Sequence, residues 1–158
     1  MLSLDLLSAF GERVARRLRE ERLIWLVTID SNGLPQPSPV WFWWDGESFL
    51  IYSQRGRATK VRNIQRHPQV ALHFDGDGRG GDIIIFTGAA RLDPEAPPAD
   101  QHAEYAQKYQ WGFERIHKTA EQFAADYSIA LRVTPEKVRG HRCIVAHTMQ
   151  YPTNAMST

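Results

Sequence analysis

The sequence contains one cysteine, Cys143, in 158 residues. No intramolecular disulfide can form, which is the pattern expected of a chain in a reducing cytoplasm. There is no Gly-x-x-x-x-Gly-Lys-Ser/Thr loop and no G-x-G-x-x-G fingerprint, so the common nucleotide cradles are excluded. There is no G-x-S-x-G nucleophile elbow. The histidines are His67, His73, His102, His117, His141 and His147. None pair at H-x-x-x-H spacing, so a zinc centre is not expected. Asp75-Gly76-Asp77-Gly78-Arg79-Gly80 imitates a calcium loop, but Arg79 stands at a ligand position and Phe86 where the closing carboxylate belongs. It reads as a hairpin turn. No apolar run is long enough to span a bilayer. The apolar N-terminus, Met1 to Leu7, lacks the basic start of a signal peptide. A formal net charge of only +1 argues against a general nucleic-acid binder. Neither a membrane nor a nucleic-acid partner is therefore expected. With no acid–base machinery visible, no side chain is assigned a catalytic role. An enzyme built on this chain would draw its chemistry from a bound cofactor, positioned and polarised by the protein.

What the sequence does contain is a concentrated basic segment. Arg55, Arg57, Lys60, Arg62 and Arg66 follow one another with no acid between them. Of 19 cations in the chain, 14 then remain against 18 acids, so the positive character is local. Local charge focuses anionic ligands. The segment follows a strand-like run, Ser48 to Ser53, and becomes a helix from about Ala58 to Arg66, stopped by His67-Pro68. Arg55, Arg57, Thr59 and Lys60 fall at the helix start, where free backbone N–H groups and the dipole favour an anion. A phosphate-bearing ligand is expected there. The alternative is a basic surface helix that is simply solvated, a role that fits Arg62 and Arg66.

The remaining pattern is β-rich. Ser3 to Arg22 reads as a helix, with Leu7, Phe10, Val14 and Leu18 on one face. Leu23 to Asp30 is a strand, and Asn32-Gly33 signals a hairpin. Gln36 to Trp44 is the second strand. Pro35, Pro37 and Pro39 confine its first half to an edge or a bulge. Asp45-Gly46 turns the chain into the third strand. Gln69 to Phe74 is the fourth and Ile83 to Leu92 the fifth. Ala99 to Ala125 is helical, with a hinge expected near Trp111-Gly112. Tyr127 to Val133 is the sixth strand, and Pro135 to Arg142 a turn and a last short strand. Residues 1–145 are expected to form one domain and 146–158 a disordered tail. Hairpin-linked strands with inserted helices give a mainly β, α+β antiparallel barrel.

The block Trp41-Phe42-Trp43-Trp44 alternates faces in a strand. One pair fills a core. The other covers a helix, a partner subunit or a flat ring, and core plus dimer interface is the expected arrangement.

The order Leu26-Val27-Thr28-Ile29, Asn32-Gly33, Pro35 to Phe42, Asp45-Gly46, Tyr52-Ser53, Lys60, Asn63 and Pro68 to Leu72 resembles the FMN-binding split-barrel superfamily, the pyridoxamine 5′-phosphate oxidase-like group. Lys108-Tyr109, Phe123-Ala124 and Tyr127-Ser128 to Val138-Arg139-Gly140 extend the likeness toward its deazaflavin (F420)-dependent branch. The resemblance implies a six-stranded split barrel that forms a homodimer with cofactor sites at the subunit interface. It puts the phosphate on Lys60 and Thr59. The Arg that often precedes that Lys by two is Ala58 here, leaving Arg55 or Arg57 to substitute. It brings Ser53 and Gln54 to the ribityl chain and phosphate, and lays Ser38, Pro39, Val40 and Trp41 along the flat ring. The implied activity is hydride transfer from F420, or alternatively FMN, to an electron-poor small molecule. The polyglutamate tail of F420 would call on further cations such as Arg55 or Arg62. Two other readings remain at this point: a flavin, haem or tetrapyrrole binding protein without catalysis, and an anion-binding regulatory domain. Pyridoxamine 5′-phosphate oxidase activity itself is less expected, because that enzyme's substrate residues find no match.

Overall fold

The computed structural model describes residues 8–56 and 59–141. Seven antiparallel strands form a single curled sheet, a half-barrel with helices against it. In chain order the elements are α1 (Ala9–Glu20), β1 (Ile24–Ile29), β2 (Pro35–Val40), β3 (Trp43–Trp44), β4 (Phe49–Ser53) and α2 (Thr59–Arg66). They continue with β5 (Gln69–His73), β6 (Ile83–Leu92), α3 (Ala103–Arg115), α4 (Ala120–Asp126) and β7 (Ile129–His141). The strand order across the sheet is β2-β1-β5-β6-β7-β4-β3.

Two apolar clusters sandwich the sheet. Val14 and Leu18 of α1 and Val61 and Ile64 of α2 join Phe42, Phe49, Ile51 and Phe86 in the first. Tyr105, Tyr109 and Phe113 of α3 and Phe123 of α4 join Leu50 and Tyr52 in the second. β4 therefore alternates between the two clusters and is buried along its whole length. Ser8 caps α1 by accepting from Gly11 N–H. Buried Arg17 pins α1 to the β5–β6 turn, donating to Asp75 O at 2.7 Å and to Asp82 Oδ2 at 3.0 Å.

The three prolines of β2 sit where the sequence places them. β2 pairs only with β1, with Pro39 opposite Trp25, Pro37 opposite Val27 and Pro35 opposite Ile29. They share one phase of an edge strand, so their missing N–H groups all fall on the unpaired side.

Three expectations need correction. The barrel has seven strands, not six, because the stretch Gln36 to Trp44 breaks at Trp41-Phe42. There Tyr109 Oη accepts from Phe42 N–H at 2.8 Å, and Lys108 Nζ donates to Phe42 O at 3.1 Å. Side chains of α3 thus replace a strand neighbour, freeing the chain to leave β1 and join β4 as β3. The helical region is interrupted at Ile116–Thr119, not at Trp111-Gly112. His117 adopts φ +55°, and Thr119 begins α4 with a capping box closed by Gln122. β7 runs unbroken through Pro135, with a register shift opposite Thr87 and Gly88. A Cβ on Gly88 would collide with Thr134 O, so only glycine lets the strand pass there. Trp41 and Trp43 are packed in the second cluster, which α3 and α4 dominate. The helices α3 and α4 thus supply one of the three covers considered for that face. Phe42 and Trp44 pack in the first cluster, as the alternation requires.

Ser3 to Leu7 of the expected first helix, the tail 146–158 and Cys143 lie outside the described residues. Among the described residues no helix is long and apolar enough to cross a membrane.

Candidate functional site

α2 is fastened before its N-terminus is put to use. Val61 and Ile64 are buried in the first cluster, and buried Asn63 donates from Nδ2 to Thr28 Oγ1 of β1 at 2.9 Å. Arg62 and Arg66, on the other side, are exposed. The helix start, Thr59-Lys60, is thereby held close to the end of β4 and to the edge strand β2.

These pieces enclose a cavity of about 510 Å³. Ser38, Pro39, Val40 and Trp41 form one side, and Gln54, Thr59 and Lys60 another. Tyr52, Tyr105, Ile116, Phe123 and Tyr127 complete the lining. The aromatic side is ordered. Trp41 stacks on Tyr109 at 4.8 Å and on Phe123 at 5.4 Å, and Phe123 stacks on Tyr127 at 4.4 Å. A succession of near-parallel faces offers a flat ring the offset stacking it prefers. Tyr52 and Tyr127 are also the common wall of a neighbouring cleft of about 460 Å³, lined mainly by apolar residues such as Leu92, Pro94 and Ile129.

Lys60 carries the electrostatics. Its side chain is half-buried, makes no ion pair among the described residues, and its pKa is held below the usual lysine range by desolvation. A cation that has lost water and found no counter-ion favours an incoming anion. The hydroxyl of Thr59 and the backbone N–H groups of the helix start point to the same ligand class. Burial pushes Tyr52 up to about 12, while its Oη donates to Pro97 O at 2.6 Å. It is a fixed, neutral wall.

Of the ten residues expected at a site, seven converge here: Ser38, Pro39, Val40, Trp41, Gln54, Thr59 and Lys60. Ser53 does not line the cavity. It follows Tyr52 on β4, so its side chain takes the opposite face, where it is 1% exposed and its Oγ has no hydrogen-bond partner. Arg55 is exposed in the turn before α2 and does not line the cavity. Arg57 lies outside the described residues. The sequence reading missed Tyr52, Tyr105, Ile116, Phe123 and Tyr127. A signal existed for two of them. Tyr52 alternates with Ser53, and Tyr105 shares a helix face with Tyr109 at i, i+4.

The fold recurs among solved structures. An F420 reductase superposes with a TM-score of 0.56 at 23% identity, covering 78% of this chain and 94% of that one. A haem storage protein from Vibrio cholerae, HutZ, gives 0.57 at 17% identity, covering 88% and 95%. A FAD-binding protein from Mesorhizobium loti gives 0.58 at 14% identity, covering 81% and 89%. No curated protein matches the chain. The family model described as pyridoxamine 5′-phosphate oxidase matches residues 10–142. Most of the chain, including every described residue of the cavity, falls within that match, and the protein belongs to the pyridoxamine 5′-phosphate oxidase family.

Proposed function

We propose that the cavity binds a flavin-type cofactor, F420 in preference to FMN, and that the protein is an oxidoreductase acting on an electron-poor small molecule. The observation that carries this reading is the convergence of Lys60 and Thr59 at the start of α2 with the aromatic wall of Trp41, Phe123 and Tyr127 around one cavity. An anion seat beside a flat apolar wall fits a phosphate joined to a conjugated tricycle. Such a cofactor supplies hydride. The chain's own residues hold it: Lys60 and Thr59 the phosphate, Gln54 the connecting chain, and the backbone of Ser38–Trp41 the polar edge of the ring. Tyr52 and Tyr127 exclude water from one side of the cavity. The F420 reductase and the FAD-binding protein among the structural neighbours support this class of ligand. The protein acts as a homodimer in this proposal, with the unpaired side of β2 near the second subunit, in the cytoplasm.

A haem-binding role, suggested by the likeness to the haem storage protein HutZ, is the second reading. Among the described residues that line the cavity there is no histidine, cysteine or methionine, and the tyrosines and Lys60 are the described side chains there able to ligate an iron. The flavin reading is preferred for that reason.

Fluorescence titration of the purified protein with F420 and with FMN tests the proposal. Tight F420 binding, weakened roughly ten- to a hundredfold by Lys60→Ala, is the expected result. Tight FMN binding alone would make the protein a flavoprotein. Binding of neither would overturn the oxidoreductase reading and turn attention to haem.

A further inference from the structure

A buried polar atom without a partner carries an uncompensated desolvation penalty, and native structures keep few of them. Among the described residues one such atom belongs to a residue that lines the cavity. Tyr105, on the first turn of α3, is fully buried and lines the cavity, and its Oη has no hydrogen-bond partner.

Its neighbours are already engaged. The Tyr52 ring meets it edge-on at 4.8 Å, but Tyr52 Oη donates to Pro97 O. The Tyr109 ring lies 4.7 Å away, but Tyr109 Oη is held among Phe42 N, Phe42 O and Arg22 O. His102, 6.4 Å from the ring, uses Nδ1 to accept from the backbone N–H of Tyr105 itself. Phe123, at 6.3 Å, has no polar atom to offer. The packing fixes the ring and leaves the hydroxyl waiting. Phenylalanine would fill the same volume without that penalty, so the hydroxyl needs a reason outside the packing.

We propose that Tyr105 Oη donates a hydrogen bond to a carbonyl oxygen or ring nitrogen of a flat conjugated ligand seated against Trp41 and Phe123. This rests on the cavity being the ligand site argued above. The hydroxyl makes the cavity selective. A tricycle rich in carbonyl and aza groups satisfies it, whereas a hydrocarbon ring of the same shape leaves it buried and unpaired. Burial, with the neighbouring tyrosines Tyr109, Tyr52 and Tyr127 adding to it, holds the phenol well above its ordinary range, so it stays a donor throughout the neutral range.

The test is Tyr105→Phe, read in two ways. Thermal melts of the ligand-free proteins show whether the hydroxyl supports the fold. Titrations with F420, FMN and lumichrome, a tricycle without phosphate, show whether it contacts a ring. The expected result is a variant that melts no lower than wild type yet binds each ligand that wild type binds roughly three- to tenfold more weakly. Unchanged affinity would overturn the inference. So would a lower melting temperature, which would mean that the hydroxyl serves the packing. If wild type binds lumichrome but neither phosphate-bearing cofactor, the proposed function fails while the lumichrome titration still decides the role of Tyr105. Binding of none of the three overturns both.

Discussion

Gly112 lies flat against the indole of Trp41: a Cβ at position 112 would stand 2.7 Å from Trp41 Cζ2 and closer still to Cη2. The glycine is inside α3, where it costs helix propensity relative to alanine. Its use is the close approach it permits between α3 and Trp41, the residue that follows β2. Gly112→Ala should therefore push the indole away, despite the better helix former. A destabilisation of about 1–3 kcal/mol is expected from overpacking, measured as a lower urea midpoint with unchanged slope. Because Trp41 is also a wall of the cavity, F420 or FMN affinity should fall in the same variant.

Tyr109 joins three parts of the chain through one hydroxyl. It accepts from Phe42 N–H and lies 2.8 Å from both Phe42 O and Arg22 O. Tyr109→Phe leaves the Phe42 N–H buried without a partner, at a cost of about 1–3 kcal/mol. The same bond sets the break between β2 and β3. Hydrogen exchange should show faster opening at Phe42 and Trp43 and little change in β6 and β7. Uniformly faster exchange would contradict a local role.

The turn chemistry of the sheet was legible in the sequence. Asn32-Gly33 and Asp45-Gly46 sit where the chain reverses, with Gly33 at φ +79° and Gly46 at φ +103°. The prolines of β2 read as an edge because proline lacks a donor, and the alternation of Trp41 to Trp44 read as two faces because a strand has period two. The break after Val40 was not legible. It depends on Tyr109 and Lys108, distant in sequence, reaching Phe42. For the same reason Gly112 read as a hinge. Propensity sees a helix breaker, whereas the fold uses a missing side chain. At the site, the basic helix start was legible as local charge, and the family resemblance supplied β2. The aromatic lining from α3 and α4 is assembled only by tertiary packing.

Lys108 gives the fold a pH dependence of definite sign. Its Nζ sits 3.9 Å over the Phe42 ring, and burial pulls its pKa from 10.5 down to about 8, partly opposed by Glu21. Between about 8 and 10.5 the unfolded chain holds a proton that the folded one has released. This residue's contribution to stability therefore rises with pH through that window. Below it both states are charged, and the full cost of burying the ammonium remains. Lys108→Met removes that cost, while Phe42 O keeps its bond from Tyr109. The variant should be more stable than wild type at pH 7, with the gap closing toward pH 10.5. Urea melts at intervals from pH 7 to 10 measure this, and a gap that does not change with pH would assign the effect to packing. Ionisation of Tyr52, pushed up to about 12 in the fold from 10.0, lowers stability above pH 10 in both proteins and cancels in the comparison.

Lys60 should act on the phosphate and on nothing else. It has no ion-pair partner among the described residues, so its removal leaves no broken pair behind and relieves a desolvated charge. Ligand-free Lys60→Ala is therefore expected to unfold at the wild-type urea midpoint or above it. Its effect should emerge only when the ligand carries the anion. Riboflavin and FMN differ by that phosphate alone, so wild type should prefer FMN and Lys60→Ala should lose most of the preference. Riboflavin affinity should stay the same in both. The double difference isolates the Lys60–phosphate term, expected at about 1.5–3 kcal/mol for a charge-assisted hydrogen bond. It should shrink in 1 M salt if the pair stays accessible to solvent. An equal loss for both ligands would mean that Lys60 shapes the cavity instead of holding a phosphate, and the anion seat would then have to be sought at Thr59 and the helix N–H groups.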